Sequence, residues 1–263
     1  MFAEERQQLI SALVAERGRV SVTELADRFS ITTETIRRDL AALEVSGNLR
    51  RVHGGAVPSD RLSTREESIL ERAIQRQAEK LRIAAAALSM IPGPTTGSVL
   101  LDAGSTTETL ADLLAQRTPA NGSTDDLVVI THAIPIAGKL SATPGVALQI
   151  LGGRVRGLTQ AAVGQSTVEA AFKLRPDIAF VGANGIHATF GLSTPDPEEA
   201  AVKAAFVKSA RRVVALADSS KLDAETLVQF ATLKDVDTLI TDREPSAELA
   251  AALADAGVDV VVA

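Results

Sequence analysis

The segment ITTETIRRDLAALEVSGNLRRVHGGAV, residues 31–57, decides the fold of the first part of the chain. Ile36, Leu40 and Leu43 follow the period of about 3.6 residues that is typical of a helix. We therefore predict a helix over residues 33–46 with these three side chains buried against a core.

The buried stripe places the other side chains of this helix. Arg38 lies about 200° around the helix from the first buried residue, on the outer face that also carries Glu34. Thr35 and Arg37 flank this face. A helix that begins with hydroxyls and carries arginines on its free face can enter the major groove of DNA. From spacing alone, a three-helix module with solvated arginines is an equal alternative.

Two shorter patterns precede this helix. Residues 3–17 predict an amphipathic helix whose inward face carries Leu9, Ile10, Leu13 and Val14. Ser21 and Glu24 have the spacing of a capping box, so a short helix that buries Leu25 and Phe29 should follow.

A hairpin pattern follows the helix. The run NLRRV, residues 48–52, alternates like a strand, and HGGAV, residues 53–57, provides a turn and a return strand. Together these elements predict a winged helix-turn-helix, whose wing carries Arg50, Arg51 and His53 toward the DNA backbone.

Composition excludes several classes of protein. The 263 residues allow one large or two modest domains. The net charge is −6, but residues 1–58 contain eight Arg and eight Asp or Glu, so the remainder carries the whole excess. The chain has no cysteine, and its three histidines are too dispersed for a zinc site. Without a run of about 18 apolar residues or an apolar leader, we expect a cytoplasmic protein with no metal and no cofactor.

We expect a linker over residues 59–78, between a DNA-binding domain at 1–58 and a second domain at 79–263. Residues 58–64 favour a hinge. Residues 65–90 predict one long helix whose first half is too charged to pack deeply. A solvated connector and a relay between the domains are equal alternatives.

Seven short apolar runs predict the core of the second domain. They are SVLLD (98–102), DLVVIT (126–131), VALQIL (146–151), DIAFVG (177–182), RVVALAD (212–218), VDTLIT (236–241) and VDVVV (258–262). Such β-branched runs, alternating with helical stretches, are typical of a parallel sheet with helices on both faces. Ligands bind such sheets at the carboxyl ends of the strands, so the residues after each strand are candidate site residues.

The residues that follow these strands favour anions. The first strand leads through Asp102 and Gly104 to Ser105, Thr106 and Thr107 at a helix N-terminus. Later strands are followed by Thr131 and His132, by Gly152, Gly153 and Arg154, by Gly182 and Asn184, and by the run Asp218-Ser219-Ser220-Lys221. One such loop is more often a plain turn, but several on one edge of a sheet predict a phosphorylated small molecule.

A further helix begins at Asp196 and carries Glu199 and Lys203. Their i, i+4 spacing predicts a surface ion pair worth a few tenths of a kcal/mol. The alternative is that both side chains face the hydroxyls of a ligand.

The motif T-I-R-R-D-L, followed by L-E, G and R-x-H-G-G-A in residues 35–56, resembles the N-terminal signature of the DeoR family of bacterial transcription regulators. The runs LDAGSTT, LGGRVRGLTQAAVG, GANGI, GLSTPDPEEAAVKAA and ALADSSK are similar, in order, to the sensor domain of that family. The resemblance is strongest to members that govern sugar uptake and fructose use in actinobacteria. One departure is Thr131-His132, where the family commonly has Thr-Asn.

The resemblance implies an α/β sensor domain related to ribose-5-phosphate isomerase and CoA transferases. It implies a repressor of sugar uptake and catabolism genes, released from operator DNA by a phosphorylated sugar, with fructose 1-phosphate and fructose 6-phosphate as first candidates. We expect a homodimer or homotetramer joined through the second domain. The alternatives are an activator, and a sugar-phosphate isomerase that uses Asp102, Glu199, Lys203 and Lys221 to move protons.

These expectations assign two sets of residues. The DNA-binding set is Ser21, Thr32, Thr33, Glu34, Thr35, Arg37, Arg38, Arg50, Arg51, His53, Gly54 and Gly55. The effector-binding set is Asp102, Gly104, Ser105, Thr106, Thr107, Thr131, His132, Gly152, Gly153, Arg154, Gly182, Asn184, Asp196, Glu199, Lys203 and Lys221.

Overall fold

The computed structural model describes residues 3–45, 49–52, 54–58, 66–91, 97–116 and 127–263. The chain divides into two compact units, Met1–Arg65 and Glu66–Ala263. The division falls inside the segment that the sequence predicts as a linker. Among the described residues, no helix has the length and apolar character needed to cross a bilayer.

The first unit is a winged helix-turn-helix, as the sequence predicts. Its elements are α1 Ala3–Arg17, β1 Val20–Ser21, α2 Val22–Phe29, α3 Thr33–Val45, β2 Leu49–Val52 and β3 Gly55–Pro58. The strands form an antiparallel sheet in the order β1-β3-β2. The predicted last residue of α3, 46, and the predicted first residue of the next strand, 48, lie outside the described residues.

The core of this unit contains the predicted stripe of α3. Ile36, Leu40 and Leu43 are buried, and they pack with Ile10 of α1 and Leu25 of α2.

Two details of the prediction for α1 and α2 are wrong. Leu9 is 46% exposed, because only its neighbours on the inner face of α1 reach the core. The capping box is only half formed. Ser21 Oγ accepts a hydrogen bond from Glu24 N (3.0 Å), whereas the Glu24 carboxylate pairs with Arg17 instead of closing the box.

A buried ion pair joins α1 to α3. Arg6 Nε donates to Asp39 Oδ2 (2.6 Å), and Gln7 Nε2 donates to Asp39 Oδ1 (3.0 Å). The hydrogen bond to Asp39 raises the pKa of Arg6. Asp39, which belongs to the TIRRDL motif, therefore holds α3 against the rest of the unit and does not face outward.

We expect Asp39→Ala to lower the free energy of unfolding of the first unit by about 2 kcal/mol, because it leaves a buried guanidinium without its counter-ion. Thermal unfolding followed by circular dichroism measures this change. Asp27→Ala, which removes an exposed carboxylate from α2, is the control and should have an effect of less than about 0.5 kcal/mol. Equal stability of the two variants would show that the Arg6–Asp39 pair contributes nothing.

The second unit begins with two helices and continues as an α/β domain. Its elements are α4 Ile69–Ile74, α5 Gln77–Met90, β4 Ser98–Leu101, α6 Ser105–Ala115, β5 Leu127–Thr131, α7 Ile134–Leu140, β6 Val146–Ile150, β7 Arg154–Arg156, β8 Ala161–Val163, α8 Gln165–Phe172, β9 Ile178–Gly182, β10 Gly185–His187, β11 Gly191–Thr194, α9 Pro197–Ser209, β12 Val213–Leu216, β13 Val228–Ala231, β14 Thr238–Thr241, α10 Ala247–Ala256 and β15 Asp259–Val262. All seven predicted strands form one parallel sheet in the order β15-β14-β12-β9-β4-β5-β6.

Both faces of this sheet are covered, as the apolar strands predict. Successive residues of a strand point to opposite faces. On β4, Leu100 packs with Phe206 of α9, whereas Val99 and Leu101 pack with Leu110 of α6 on the other side. The inner strands β4, β5, β9, β12 and β14 are therefore apolar throughout because each lies between two helical layers, whereas the edge strands β6 and β15 are partly exposed.

The prediction of one continuous helix over residues 65–90 is wrong. The helix is interrupted between α4 and α5 at Gln75 and Arg76, where Arg76 has a left-handed backbone with φ 49°. The charged first half is also not solvated throughout, since the Glu66 side chain is 2% exposed and Ile69 is 3% exposed. The predicted hinge over 58–64 lies, apart from Pro58, outside the described residues.

Two small sheets were not predicted. Strands β7 and β8 form an antiparallel hairpin, and β10, β11 and β13 form an antiparallel three-stranded sheet. Residues 154–156 are thus part of a hairpin, and their amides do not belong to an open loop after β6.

Candidate functional site

The exposed face of α3 carries the two arginines expected to contact DNA. The side chains of Arg37 and Arg38 are 60% and 83% exposed. Glu34 lies 3.6 Å from Arg37 Nη1 and 3.9 Å from Arg38 Nε. Such long, solvated ion pairs contribute little, so both guanidinium groups can leave Glu34 for a stronger partner.

The hydroxyl residues near α2 and α3 include helix caps. Thr32 Oγ1 accepts a hydrogen bond from Thr35 N (3.2 Å) at the start of α3, and Ser21 caps α2 in the same way. Thr33 is exposed in the first turn of α3. A helix N-terminus on a free surface favours phosphate, so the caps and the arginines point to the same kind of ligand.

The wing contains one guanidinium that is already engaged. Arg51 Nε donates to Glu44 Oε2 (2.7 Å), and Arg51 N donates to Glu44 Oε1 (2.9 Å). These bonds lower the pKa of Glu44. The side chain of Arg50, and His53 as a whole, lie outside the described residues.

Both glycines of the wing have structural roles. Gly54 has φ +77°, a conformation that residues with a Cβ rarely adopt. A Cβ on Gly55 would lie 2.0 Å from Val20 O, at the point where β3 pairs with β1. These requirements explain the two glycines of the HGGA motif without a direct contact to DNA.

The second unit contains an open cleft at the carboxyl ends of the central strands. It gathers many of the predicted effector residues in one place: Gly104, Ser105, Thr106, Thr107, Gly182, Asn184, Glu199, Lys203 and Lys221. It is also lined by Arg72, Gln75, Arg76, Lys80, Ala103, Ala183, Leu216, Ala217, Asp218 and Ser220.

The N-terminus of α6 opens into this cleft. Gly104 is its N-cap residue, so no side chain of that residue can occupy the first backbone N–H groups. Thr107 Oγ1 donates to Gly104 O (2.8 Å), whereas Ser105 remains partly exposed. The first amides of an 11-residue helix therefore face a cleft with cationic walls.

A buried carboxylate lies below the cleft. Asp102 is fully buried; its Oδ2 accepts hydrogen bonds from Lys203 Nζ and from Gly182 N (3.0 Å). Lys203 also donates to Gly182 O (3.0 Å). Burial is the largest single influence and raises the pKa of Asp102, but the charge of Lys203 and the contacts with His132 and Lys203 together outweigh it, so the pKa lies below its usual value.

His132 lies next to the carboxylate of Asp102. Its Nδ1 lies 2.7 Å from Ala162 O, and a carbonyl only accepts, so Nδ1 donates. Its Nε2 lies 3.0 Å from Ala103 N and 3.1 Å from Asp102 Oδ1. His132 is 1% exposed, and like the buried Thr131 it does not line the cleft. His132, which stands where the family commonly has Asn, is therefore a buried neighbour of Asp102 and not part of the cleft wall.

The predicted surface pair between Glu199 and Lys203 is wrong. Both side chains are about 95% buried, and each has another partner. Glu199 Oε1 accepts from Thr159 Oγ1 and lies 3.2 Å from Arg156 Nη1, while Lys203 binds Asp102. The spacing is helical, but both residues lie on the buried face of α9 and not on its exposed face.

Several predicted effector residues do not line the cleft. Arg154 is 61% exposed and pairs with Glu198. A Cβ on Gly153 would lie 2.1 Å from Thr167 Oγ1, so this glycine is required for packing. Gly152 O accepts from the same hydroxyl (2.9 Å). Asp196 caps α9 through the amides of the next turn and lies 3.2 Å from Arg156 Nε.

We did not predict from the sequence that the α4–α5 segment forms one wall of the cleft. Arg72, Gln75, Arg76 and Lys80 all line the cleft. The signal was present, since Arg72, Arg76 and Lys80 recur every four residues, but they lie in the segment interpreted as a connector.

Two of these cations are held in place. Lys80 Nζ donates to the carbonyls of Arg72 and Gln75 (2.7 Å to the latter), and Arg76 lies 3.2 Å from Asp218 and 3.3 Å from Asp242. Burial lowers the pKa of Lys80 to about 8; Asp218 opposes this shift, and the nearby cations add to it.

A winged helix-turn-helix combined with an α/β unit that holds a cationic cleft defines a class of two-part regulators. Residues 6–61 match the DeoR-like helix-turn-helix domain, and residues 75–243 match the DeoR C-terminal sensor domain. This chain belongs to the DeoR family of transcriptional regulators.

Three relatives illustrate the family. The uncharacterised HTH-type regulator FruR of Bacillus subtilis (strain 168) is 34% identical over 93% of each chain. The lactose phosphotransferase system repressor of Streptococcus mutans is 31% identical, covering 92% of this chain and 93% of its own. The glycerol-3-phosphate regulon repressor of Escherichia coli (strain K12) is 29% identical over 95% of each chain.

A solved structure of ribose 5-phosphate isomerase A from Methanocaldococcus jannaschii is similar to part of the chain. The TM-score is 0.41 and the identity 20%, over 56% of this chain and 55% of that one. The relatives matched over nearly full length are named as transcriptional regulators.

Proposed function

We propose that this protein represses genes of sugar uptake or catabolism, and that a phosphorylated sugar bound in the cleft of the second unit weakens its hold on operator DNA. The observation that carries this proposal is the charge of the cleft. Among the described residues, five cations line it, Arg72, Arg76, Lys80, Lys203 and Lys221, against the two carboxylates of Glu199 and Asp218. Two relatives are named as repressors of a glycerol-3-phosphate regulon and a lactose phosphotransferase system.

The lining suggests how such a ligand would lie. The phosphate would meet the amides of Ser105–Thr107 at the start of α6, together with Lys221. Asn184 would face the sugar hydroxyls; its Oδ1 accepts from Thr194 Oγ1 (3.1 Å), which orients the amide. Arg154 has no part in this arrangement, because it lies outside the cleft.

We further propose a homodimer or homotetramer. One winged helix covers only a few base pairs, and specific binding usually needs two half-sites separated by whole helical turns. Light scattering at micromolar concentration measures the mass. A monomer that binds one site tightly would contradict this assembly.

The test combines footprinting on the DNA upstream of the gene with calorimetry against fructose 1-phosphate and fructose 6-phosphate. We expect the effector to lower operator affinity by about 5- to 150-fold, and operator DNA to lower effector affinity by the same factor. Lys221→Ala should still bind operator but no longer respond, whereas Lys173→Ala, an exposed lysine outside the cleft, should behave like the wild type. Turnover of a sugar phosphate would instead favour the isomerase.

Effector affinity should fall as the pH rises through about 8. Lys80 has a pKa of about 8, and a phosphate in the cleft favours its charged form, so binding takes up a proton above that pH. A sugar phosphate is already fully ionised there, since its second pKa is about 6.

Calorimetry at several pH values, in buffers of different ionisation enthalpy, measures this proton uptake. Lys80→Met should remove both the uptake and the fall in affinity. An unchanged pH profile in that variant would show that another group is responsible.

A further inference from the structure

A buried carboxylate lies where the second unit begins. The Glu66 side chain is only 2% exposed. Its Oε2 lies 2.7 Å from Arg156 Nη1, and its Oε1 lies 3.7 Å from Arg72 Nη2. Within the described part of the chain, neither oxygen has a partner in good hydrogen-bond geometry. Glu66 is therefore held mainly by the charge of two arginines.

The carboxylate shares Arg156 with two other acids. Arg156 also lies 3.2 Å from Glu199 Oε1 and 3.2 Å from Asp196 Oδ2. Burial and the charge of Glu199 raise the pKa of Glu66. Three carboxylates therefore compete for the guanidinium of Arg156, so the contact between Glu66 and Arg156 is easily lost.

Glu66, Arg72, Arg156, Asp196 and Glu199 form a cluster of charged side chains, and two of them also line the cleft. Arg72 and Glu199 both line it. Arg72 Nε is buried and lacks a hydrogen-bond partner within the described part of the chain, so this guanidinium has unused capacity for an anion. An anion in the cleft and Glu66 can compete for the same side chain.

The segment around Glu66 is docked on the hairpin β7–β8. Ile69 N donates to Leu158 O (2.9 Å), and Thr159 of the same hairpin donates to Glu199. Ser68 and Glu71 form a complete capping box at the start of α4. Residues 66–71 are thus held against the hairpin, and Glu66 is the first residue of the second unit.

We propose that Glu66 is a latch: its carboxylate occupies Arg72 and Arg156 when the cleft is empty, and an anionic ligand that recruits Arg72 releases it and with it the start of the second unit. A ligand shifts a conformational equilibrium only through different contacts in the two states. Arg72 contacts Glu66 when the cleft is empty and the anion when the cleft is filled. This change of partner provides the difference between the two states. The latch rests on the proposed function, because the releasing anion is the sugar-phosphate effector.

The test compares Glu66→Gln with Glu67→Gln, a neighbour that is exposed and outside the cluster. Without any ligand, Glu66→Gln should weaken operator binding by about 5- to 150-fold, the range of an effector-induced change. Fructose 1-phosphate or fructose 6-phosphate should then cause no further loss. Glu67→Gln should bind operator and respond like the wild type.

Hydrogen exchange of the amides of residues 67–74 is the second measurement, and it needs only the wild-type chain. The sugar phosphate that binds should accelerate this exchange, and Glu66→Gln, where it folds, should show the faster exchange from the start. The latch is overturned if both Gln variants bind operator equally, or if ligand binding leaves the exchange of residues 67–74 unchanged.

These results separate the two proposals. A wild-type chain whose operator affinity no sugar phosphate changes contradicts the proposed effector; a weakened Glu66→Gln beside an unaffected Glu67→Gln would still support the latch. A wild-type chain that responds to a sugar phosphate, with a Glu66→Gln variant that responds equally, overturns the latch alone.

Discussion

Replacing Asp102 by Asn is expected to lower the free energy of unfolding of the second unit by about 3–5 kcal/mol. Asp102 is fully buried and binds Lys203, whose side chain is 5% exposed. The variant keeps the shape of the side chain but leaves an ammonium group buried without its counter-ion. Because the chain contains no Trp or Tyr, unfolding is best followed by calorimetry or circular dichroism.

Two companion variants make this result specific. Asp112→Asn removes a carboxylate that pairs with Lys139 at the surface, and it should cost less than about 1 kcal/mol. The double variant Asp102→Asn, Lys203→Met removes both buried charges, so it should be more stable than Asp102→Asn alone. A double variant less stable than the single one would mean that Lys203 stabilises the fold in another way.

The pH dependence of Asp102 has a defined sign. Its pKa is lower in the folded than in the unfolded chain, where it is about 3.9. Its contribution to stability is therefore present above about pH 4, and it is lost as the pH falls through the folded value. Asp102→Asn should lack this loss at acid pH.

Short runs of apolar residues were sufficient to predict the strands of the main sheet. The inner strands β4, β5, β9, β12 and β14 are buried on both faces, so their whole length is apolar, and the order of the strands in the sheet did not need to be known. Since parallel strands end at the same edge, Gly104, Gly182 and Lys221 were correctly expected near one another. The buried stripe of α3 was predictable for the same reason, because one helical face must meet the core.

The sequence did not allow us to predict which charged side chains of distant elements form ion pairs. The i, i+4 spacing of Glu199 and Lys203 gave no sign that Asp102 lies 101 residues from its ion-pair partner in the chain. Arg154 and Arg156 look alike in sequence, but only Arg156 reaches buried carboxylates; Arg154 meets the exposed Glu198. The α4–α5 wall was missed because a charged segment was expected to be solvated, whereas its charges are paired within the unit.

Arg37 and Arg38 should contribute the largest single share of operator affinity. We expect Arg37→Ala and Arg38→Ala each to weaken binding by about 1–3 kcal/mol, roughly 5- to 150-fold, and the double variant by about the sum. Both side chains are largely exposed and only loosely paired with Glu34, so the free protein loses no buried contact. The free energy of unfolding should therefore be unchanged, in contrast to Asp39→Ala.

The salt dependence of binding distinguishes the two kinds of contact. If an arginine reads a base edge, its loss should relax specificity at one position of the site and leave the salt slope nearly unchanged. If it binds a phosphate, affinity should fall equally on all sequences and the slope of log K against log salt should decrease by about 0.9. Arg211→Ala, an exposed arginine of the second unit, is the control and should leave both quantities unchanged. Operator binding like that of the wild type in both the Arg37 and the Arg38 variant would exclude α3 as the reading helix.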